Sequence, residues 1–268
     1  MVNVLNPNPM AAQIESDPFT HAVESHDNDI VSIVGDAIAA GRTQLAFQPV
    51  VLAHDPSRIA FYEGLIRIQD RAGRTIPAAH FMPLVEAMDL GRQIDNISLD
   101  LAFRFLAQNP AAKLSVNVSA RSLGDTTWRN TLDAALRQQT HLGNRLIFEI
   151  SESSAMMLHE LVIRFMKEVQ PRGIGFALDG FGGGVTTFRH LRSFFFDFAK
   201  IDKGFARGIA QDPDNQVLAE ALTTVAHQFD MMVVADGIER GEDADFFRAI
   251  GVDCLQGYHF GLPKMGVS

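Results

Sequence analysis

Cysteine, basic residues and long apolar runs are all scarce in this chain of 268 residues. The single cysteine, Cys254, allows no internal disulfide and no thiolate zinc cluster, and it favours a reducing compartment. Lysine and arginine number 23 against 32 acidic residues, and the net charge of −9 argues against binding to DNA, RNA or an anionic membrane surface. No stretch reaches the roughly 18 apolar residues of a membrane span, and the N-terminus lacks the features of a secretory signal. We therefore expect a cytoplasmic protein.

The composition is that of a folded protein with a full core, since 47% of the residues are hydrophobic and 21% are charged. The length suits a single α/β barrel, which takes roughly 250 residues. Residues 1–28 are polar, contain two Asn-Pro dipeptides and show no steady period, which predicts a flexible lead-in. Residues 29–268 are predicted to form one barrel domain.

Short apolar segments alternate with helix-like ones along most of the chain, which predicts parallel strands that are buried on both faces. Eight such strands favour closure into a TIM-like (β/α)8 barrel, an α/β fold. The turn between the first two strands is short, so this pair is predicted to be antiparallel. Helices are predicted from Asp29 to Gly41 and over 80–90, 97–109, 131–141, 155–170, 214–229 and 243–251. The predicted strands are 45–52, 59–68, 113–119, 146–151, 173–179, 196–202, 231–238 and 254–260.

Polar residues stand at or near the ends of these strands, where apolar sequence is the default. The carboxyl ends of barrel strands converge on one mouth, which is where active sites lie. Carboxylates gathered there repel one another unless cations are bound, and oxygen ligands suit magnesium or manganese. The residues in question are Glu63, Asn117, Glu149, Glu152, Asp179, Lys200, Asp202, Asp236, Glu239 and Gln256.

Each of these residues also has a structural interpretation. Glu63 suits a surface position, Asn117 a turn, Glu152 a helix start after Ser151, and Lys200 with Asp202 a solvated ion pair. Several uncompensated charges on buried strands are costly, so a shared site explains the set better.

Other chemical motifs fail on inspection. The run GFGGG at 180–184 lacks the Gly-Lys-Ser/Thr ending of a P-loop and the spaced glycines of a dinucleotide fingerprint. No Gly-x-Ser-x-Gly elbow is present, and His159-Glu160 lacks the second histidine of a zinc protease helix.

Nine segments resemble, in order, those of the EAL family of cyclic di-GMP phosphodiesterases, from about Gln44 to Pro263. FYEGLIRI carries the Glu-Ala-Leu signature, with Gly64 in place of the usual alanine. The others are AFQPVV, HFMPLVEAMDLGRQID, LSVNVSARSL, LIFEISES, FALDGFGGG, FAKIDKGF, VVADGIER and LQGYHFGLP. The resemblance implies an EAL-type barrel that uses two divalent metals, Mg²⁺ or Mn²⁺, to hydrolyse cyclic di-GMP to pGpG.

The resemblance also implies a role for each matching residue. The first metal is matched by Glu63, Asn117, Glu149 and Asp179, and Asp179 also matches the bridge to the second metal. Lys200 matches the residue that helps to activate the attacking water. Lys200 and the metal ligand Glu63 are the candidate catalytic residues. Gln48 and Arg67 match contacts to the guanine and phosphate ends of the ligand. Asp202 and Gln256 match the surrounding polar shell, and Glu152 matches the anchor of the loop after the fifth predicted strand.

The chain departs from the family at the second metal. Where the family has Asp-Asp-Phe-Gly-Thr-Gly-Tyr-Ser-Ser-Leu, this sequence has Asp179-Gly180 and continues FGGGVTTF, so the second aspartate is missing. Asp236 replaces the glutamate of Val-Ala-Glu-Gly with a side chain one methylene shorter. Metal sites tolerate displacements of only about 0.2 Å, so this carboxylate needs a backbone shift or a bridging water.

The resulting expectation is a protein that recognises cyclic di-GMP through the first metal, with hydrolysis weak or lost. The alternative is an active phosphodiesterase whose second metal is compensated, and Asp202 is a neighbouring acid for that role. A pure interaction protein is disfavoured by the retained Gln48, Arg67, Glu63 and Asn117. Regulation is expected to come from the ligand, from a homodimer or from a separate protein partner.

Overall fold

The computed structural model describes residues 18–184 and 188–267. The strands are β1 (Thr43–Leu52), β2 (Asp55–Gln69), β3 (Thr75–Pro77), β4 (Leu114–Asn117), β5 (Leu146–Ser151), β6 (Gly175–Phe181), β7 (Phe198–Ile201), β8 (Met232–Ala235) and β9 (Cys254–Gln256). The helices are α1 (Pro18–Ala39), α2 (Met82–Val85), α3 (Asp89–Gln108), α4 (Thr126–Gln138), α5 (Glu152–Met157), α6 (His159–Val169), α7 (Phe188–Leu191), α8 (Lys203–Ala206), α9 (Pro213–Gln228) and α10 (Gly241–Ala249). None of the helices in the described part of the chain has the length and apolar character needed to cross a membrane.

Eight of the strands close into a barrel, which confirms the predicted fold class. Neighbours around the barrel follow the order β2, β4, β5, β6, β7, β8, β9 and β1, and β1 pairs with β2 to complete the ring. All neighbours from β2 to β9 are parallel. Strand β1 runs antiparallel to both β2 and β9, as the short turn after β1 predicted.

Some element boundaries differ from the prediction. The helix predicted to begin at Asp29 begins at Pro18. Its start was predicted too late because most residues before Ile30 are polar and show no helical period. Of the predicted lead-in, residues 1–17 lie outside the described residues. The predicted helix over 155–170 is two helices, α5 and α6, separated by the non-helical backbone of Leu158. The helix predicted over 80–90 is reduced to the four residues of α2 and the start of α3.

Two strand predictions also need correction. Strand β3, which pairs antiparallel with β2 outside the barrel ring, was not predicted, because three residues that include a proline show no alternation. The last predicted strand ran to Phe260, but β9 ends at Gln256, where Gly257 approaches the backbone of Ile238 too closely for any side chain.

Successive side chains of a strand point to opposite faces of the barrel wall, so the apolar core has two parts. Outward-facing residues of β5 and β6 pack against α4 and α6, where Trp128, Phe148, Phe165 and Phe176 have ring centroids 5.3–6.0 Å apart. Inward-facing residues fill the barrel with a second, smaller apolar layer: Val50, Phe61, Ile147, Ala177, Phe198, Val234 and Cys254. Cys254 is buried there as predicted, and burial raises the pKa of its thiol to about 12.

Asp95 on α3 is a buried acid whose titration should change stability. Its Oδ2 accepts hydrogen bonds from Ser122 Oγ (2.6 Å) and from the Ser119 backbone N–H (3.0 Å), and burial raises its pKa to about 7. Because this pKa lies above the unfolded value of about 3.9, the folded state loses stability as the pH rises from about 4 to about 7.

We predict that Asp95→Asn, which keeps the shape of the neutral acid, is more stable than the wild type by roughly 4 kcal/mol at pH 8 and by only roughly 1.5 kcal/mol at pH 5. Urea unfolding at both pH values measures this difference. Asp100→Asn, at a more exposed position of the same helix, is the control. Parallel pH dependence in the wild type and Asp95→Asn would show that Asp95 is ionised in the folded protein.

Candidate active site

The polar residues of the strands form a layer directly above the small apolar layer of the barrel. Because side chains alternate along a strand, the residue two positions beyond each inward apolar residue faces inward as well. Phe61 is thus followed by Glu63 on β2, and Ile147 is followed by Glu149 on β5. On the antiparallel β1 the order reverses, so Gln48 precedes Val50. The residues assembled in this way are Gln48, Glu63, Asn117, Glu149, Asp179, Lys200, Asp236 and Gln256.

Gly64 follows Glu63 where the family signature has alanine. A Cβ at this position would lie 3.2 Å from the Val116 side chain and 3.3 Å from the Ser115 carbonyl oxygen. Alanine would therefore need its neighbours to give way slightly, whereas glycine lets β2 and β4 pack closely beside Glu63.

The ammonium group of Lys200 lies at the centre of this layer, and the residue is only 1% exposed. Its Nζ donates to Glu149 Oε2 at 2.6 Å and to Glu63 Oε2 at 3.0 Å, and it lies 3.9 Å from Asp179 Oδ1. Burial alone would lower the pKa of Lys200, but the surrounding carboxylates, Asp236 among them, hold this pKa well above its usual range. Lys200 is therefore the counterion of the acidic layer.

Glu63 is the most fully bonded of the carboxylates. Its Oε1 accepts from Asn117 Nδ2 at 2.9 Å, and its Oε2 accepts from Gln256 Nε2 at 2.5 Å as well as from Lys200. Burial opposes ionisation, but the charge of Lys200 and the hydrogen bonds outweigh it and lower the pKa of Glu63. Glu63 is therefore held as a carboxylate.

The pKa of Glu149 is shifted in the opposite direction to that of Glu63. Burial, together with the charges of Glu63 and Asp179, raises its pKa to about 8 despite its contact with Lys200. Its Oε1 is buried and has no hydrogen-bond partner among the described residues. A buried oxygen without a partner is costly, and a bound cation would satisfy it.

Asp179 and Asp236 complete the acidic set at the ends of β6 and β8. Burial is the main reason that the pKa of each is raised, to about 6 in the case of Asp236, and the charge of Lys200 opposes the shift. Asp236 Oδ1 accepts from the Gly237 backbone N–H at 2.7 Å. This short side chain thus lies against its own backbone.

The donor set fits a hard divalent cation. Four carboxylates, Glu63, Glu149, Asp179 and Asp236, surround one ammonium, so the fully ionised layer carries excess negative charge. Carboxylate and amide oxygens are the ligands that Mg²⁺ and Mn²⁺ take. The described residues hold no group of three or more His, Cys, Asp or Glu side chains already arranged around a cation position, since the Lys200 ammonium draws Glu63 and Glu149 to itself. A cation would share these oxygens with Lys200.

Gln48 is the member of this layer on β1, and Arg67 lies beside the layer on β2. Gln48 Nε2 donates to the Gly261 carbonyl oxygen at 3.1 Å, and its Oε1 lies 3.4 Å from Gln256 Nε2. Arg67 is half-buried, Nη1 donates to the Ile66 carbonyl oxygen at 3.0 Å, and burial lowers the pKa of its guanidinium. Sequence reasoning missed Gly261, because a backbone acceptor leaves no signal in residue type.

Glu152 and Glu239 have different surroundings. Glu152 begins α5 after the N-cap Ser151, is buried, and accepts from the Gly184 N–H at 3.2 Å, so it touches the connection after β6. Residues 185–187 of that connection lie outside the described residues. Glu239, one of the polar residues assigned to the strand ends, is exposed and pairs with Arg207 at 2.7 Å, and within the described residues it makes no hydrogen bond or ion pair with the acidic layer.

The structure brings Asp202 and Gly180 together at the ends of β7 and β6. Asp202 Oδ1 accepts from the Gly204 N–H at 2.8 Å and caps α8. Gly180 has a φ of +72°, and a Cβ at this position would lie 3.7 Å from Asp202 Oδ2. The missing side chain at residue 180 therefore leaves open space in front of a carboxylate.

Comparison with known proteins gives a consistent result. A family model described as the EAL domain matches residues 32–263. Cyclic di-GMP phosphodiesterase PdeB of Shewanella oneidensis is 27% identical over 238 residues, which are 86% of this chain and 28% of that protein. The bifunctional diguanylate cyclase/cyclic di-GMP phosphodiesterase MucR of Pseudomonas aeruginosa is 28% identical over 224 residues, which are 82% of this chain and 33% of that protein. The chain thus spans about a third or less of the length of these relatives.

Solved structures with the same fold include nucleotide complexes. The structure described as the PaMucR phosphodiesterase in complex with c-di-GMP has a TM-score of 0.80 and 26% identity, and the match covers 88% of this chain and 97% of that one. The FimX EAL domain from Pseudomonas aeruginosa bound to c-di-GMP has a TM-score of 0.80 and 25% identity, with 89% and 97% covered.

We predict that Lys200→Met lowers the free energy of unfolding by about 3–5 kcal/mol in EDTA, because it leaves buried carboxylates without their counterion. Millimolar Mn²⁺ should restore more stability to this variant than it adds to the wild type, since the cation takes over the role of the ammonium. Urea unfolding with and without Mn²⁺ measures both effects. The control is Lys113→Met, at an exposed lysine. An equal response of Lys200→Met and the wild type to Mn²⁺ would contradict the prediction.

Proposed function

The chain belongs to the EAL-domain family, and from this membership we propose that it recognises cyclic di-GMP at the mouth of the barrel and hydrolyses it weakly or not at all. The observation that carries the proposal is Gly180. It stands directly after Asp179, where the family signature has a second aspartate. Because glycine has no side chain, residue 180 offers no ligand to the second metal, and its backbone has a positive φ that favours glycine.

Recognition is supported by the groups that remain at the mouth. Cyclic di-GMP carries two phosphodiester charges, and a chain with a net charge of −9 needs local positive charge to bind it. Arg67 offers a half-buried guanidinium, which suits phosphate oxygens. The amide of Gln48 is oriented by Gly261 and suits a guanine edge. Glu63, Asn117, Glu149 and Asp179 would hold a divalent cation here, which would supply the remaining positive charge.

Weak hydrolysis is supported at two positions. Gly180 provides no ligand, and Asp236 is a short carboxylate whose Oδ1 accepts from its own backbone. A second metal supplies several kcal/mol of charge stabilisation in phosphodiester cleavage, and its loss slows turnover by roughly a hundredfold or more. Lys200 still places its ammonium among the carboxylates and retains positive charge beside the reacting centre.

Several sequence predictions stay predictions. Among them are pairing of two copies, a separate protein partner and a cytoplasmic location. The loop-anchor role of Glu152 is proposed on its contact with Gly184.

We predict that Arg67→Met weakens cyclic di-GMP binding at least tenfold, because a charge-assisted contact to phosphate is lost while the carboxylates stay intact. Isothermal titration in Ca²⁺ measures the affinity. Arg58→Met, at an exposed arginine near the opposite end of the same strand, is the matched control and should bind like the wild type. Equal affinities of Arg67→Met and Arg58→Met would remove Arg67 from the ligand site.

We predict that Gly180→Asp raises the rate of pGpG formation at least tenfold in Mg²⁺ or Mn²⁺, because it adds the missing carboxylate. Gly180→Asn is the matched control, since asparagine tolerates positive φ as well as aspartate does but brings no charge. Chromatographic assay of pGpG compares the two variants with the wild type. Robust wild-type turnover that neither variant changes would favour the alternative, an active enzyme with a compensated second metal.

A further inference from the structure

The turn after β4 is held by a carboxylate that lies outside the acidic layer. Asp95 on α3 is only 6% exposed, and its Oδ2 accepts from the Ser119 N–H at 3.0 Å and from Ser122 Oγ at 2.6 Å. The Ser122 N–H donates to the Ser119 carbonyl oxygen at 2.9 Å, so these two serines are the ends of one tight turn. A single buried oxygen thus joins both ends of the turn to an outer helix.

This turn begins two residues after a polar residue of the mouth. Asn117 is the last residue of β4, and its Nδ2 donates to Glu63 Oε1 at 2.9 Å. The Val118 N–H donates to the Glu149 carbonyl oxygen at 2.9 Å, which continues the contact between β4 and β5 by one residue. Beyond Val118 the backbone leaves the sheet, and the next N–H is bound by Asp95 instead.

The same turn also contacts α5. The Ala120 N–H donates to Ser154 Oγ at 3.0 Å, and the Ser154 N–H donates to Oγ of the N-cap Ser151 at 3.3 Å. Glu152, between these two serines, is buried and accepts from the Gly184 N–H at 3.2 Å. The turn therefore connects the end of β4 with the helical turn that carries Glu152.

We propose that Asp95 is a positioning residue for cyclic di-GMP, because the turn that it holds sets the positions of Asn117 and Glu152. This inference rests on the proposed function, since it names an outer residue on which binding at the mouth depends. Asp95 acts through the backbone of the turn and not by contact with the nucleotide. In metal sites, loss of an outer partner of a ligand costs roughly 10–100-fold in affinity, and we expect an effect of this size here.

The geometry defines which atom of Asp95 is needed. Both contacts with the turn are made by Oδ2, so the turn needs one acceptor oxygen at this place and no negative charge. Asparagine provides that oxygen, whereas alanine leaves the Ser119 N–H and the Ser122 hydroxyl without this partner. The variants Asp95→Asn and Asp95→Ala therefore separate the contact from the charge.

The test is isothermal titration of the full chain with cyclic di-GMP in Ca²⁺. Asp95→Ala should weaken binding about tenfold or more. Ser122→Ala, a milder change that removes one of the two contacts, should weaken it roughly threefold. Asp95→Asn should bind like the wild type, because it keeps the acceptor oxygen.

A control separates positioning from a general loss of stability. Leu136→Ala opens a cavity in the core at the last turn of α4, the end of this helix that is remote from the turn after β4. It should bind cyclic di-GMP like the wild type at a temperature at which circular dichroism shows every variant to be folded. Equal weakening in Leu136→Ala and Asp95→Ala would show that binding follows stability alone, and this result would overturn the proposal.

Amide hydrogen exchange without nucleotide tests the same contacts independently of the proposed function. Asp95→Ala should speed exchange in residues 118–122 and in α5, whereas Asp95→Asn should not. Unchanged exchange or unchanged binding in Asp95→Ala would reject the role of Asp95, and so would binding by Asp95→Asn that is as weak as that by Asp95→Ala. A wild type that does not bind cyclic di-GMP would reject the proposed function, and the exchange rates would still decide whether Asp95 holds the turn.

Discussion

The buried ammonium of Lys200 is the interaction on which the mouth of this barrel depends. Carboxylates from β2, β5 and β6 meet within 4 Å of its Nζ, and no such gathering is stable without positive charge. The ammonium satisfies only part of the set, because Glu149 keeps a buried oxygen without a partner and a pKa raised to about 8. The protein therefore folds around a charge arrangement with one unsatisfied buried oxygen, which a divalent cation would satisfy.

The barrel makes this arrangement possible through the period of its strands. Inward positions carry an apolar residue at one level and a polar residue two positions away, so one closed ring produces both a dry layer and an acidic layer. The apolar layer beneath the carboxylates limits access of water from below. Low polarity on that side strengthens every charge interaction above it.

Many of the strands and of the inward polar positions could be predicted from sequence, because both depend on residues that are close together in the chain. The apolar segment Leu146–Ile150 is interrupted by Glu149, and this pattern marks both a buried strand and an inward polar position. Contacts between distant segments could not be predicted in the same way. The packing of Asp202 against Gly183 and the bond from Gln48 to Gly261 depend on backbone placement, and the break at Leu158 has no glycine or proline to mark it. The sequence grouped Lys200 with the acidic residues, but its position as shared counterion of Glu63 and Glu149 follows only from the three-dimensional arrangement.

The most direct measurement is isothermal titration of the wild-type protein with cyclic di-GMP in Ca²⁺, followed by assay of pGpG from the same preparation in Mg²⁺ and then in Mn²⁺. We expect saturable binding with little or no product, which is the behaviour of a barrel that retains the first cation position and has a weakened second one. Absence of binding, or rapid metal-dependent formation of pGpG, would contradict this conclusion.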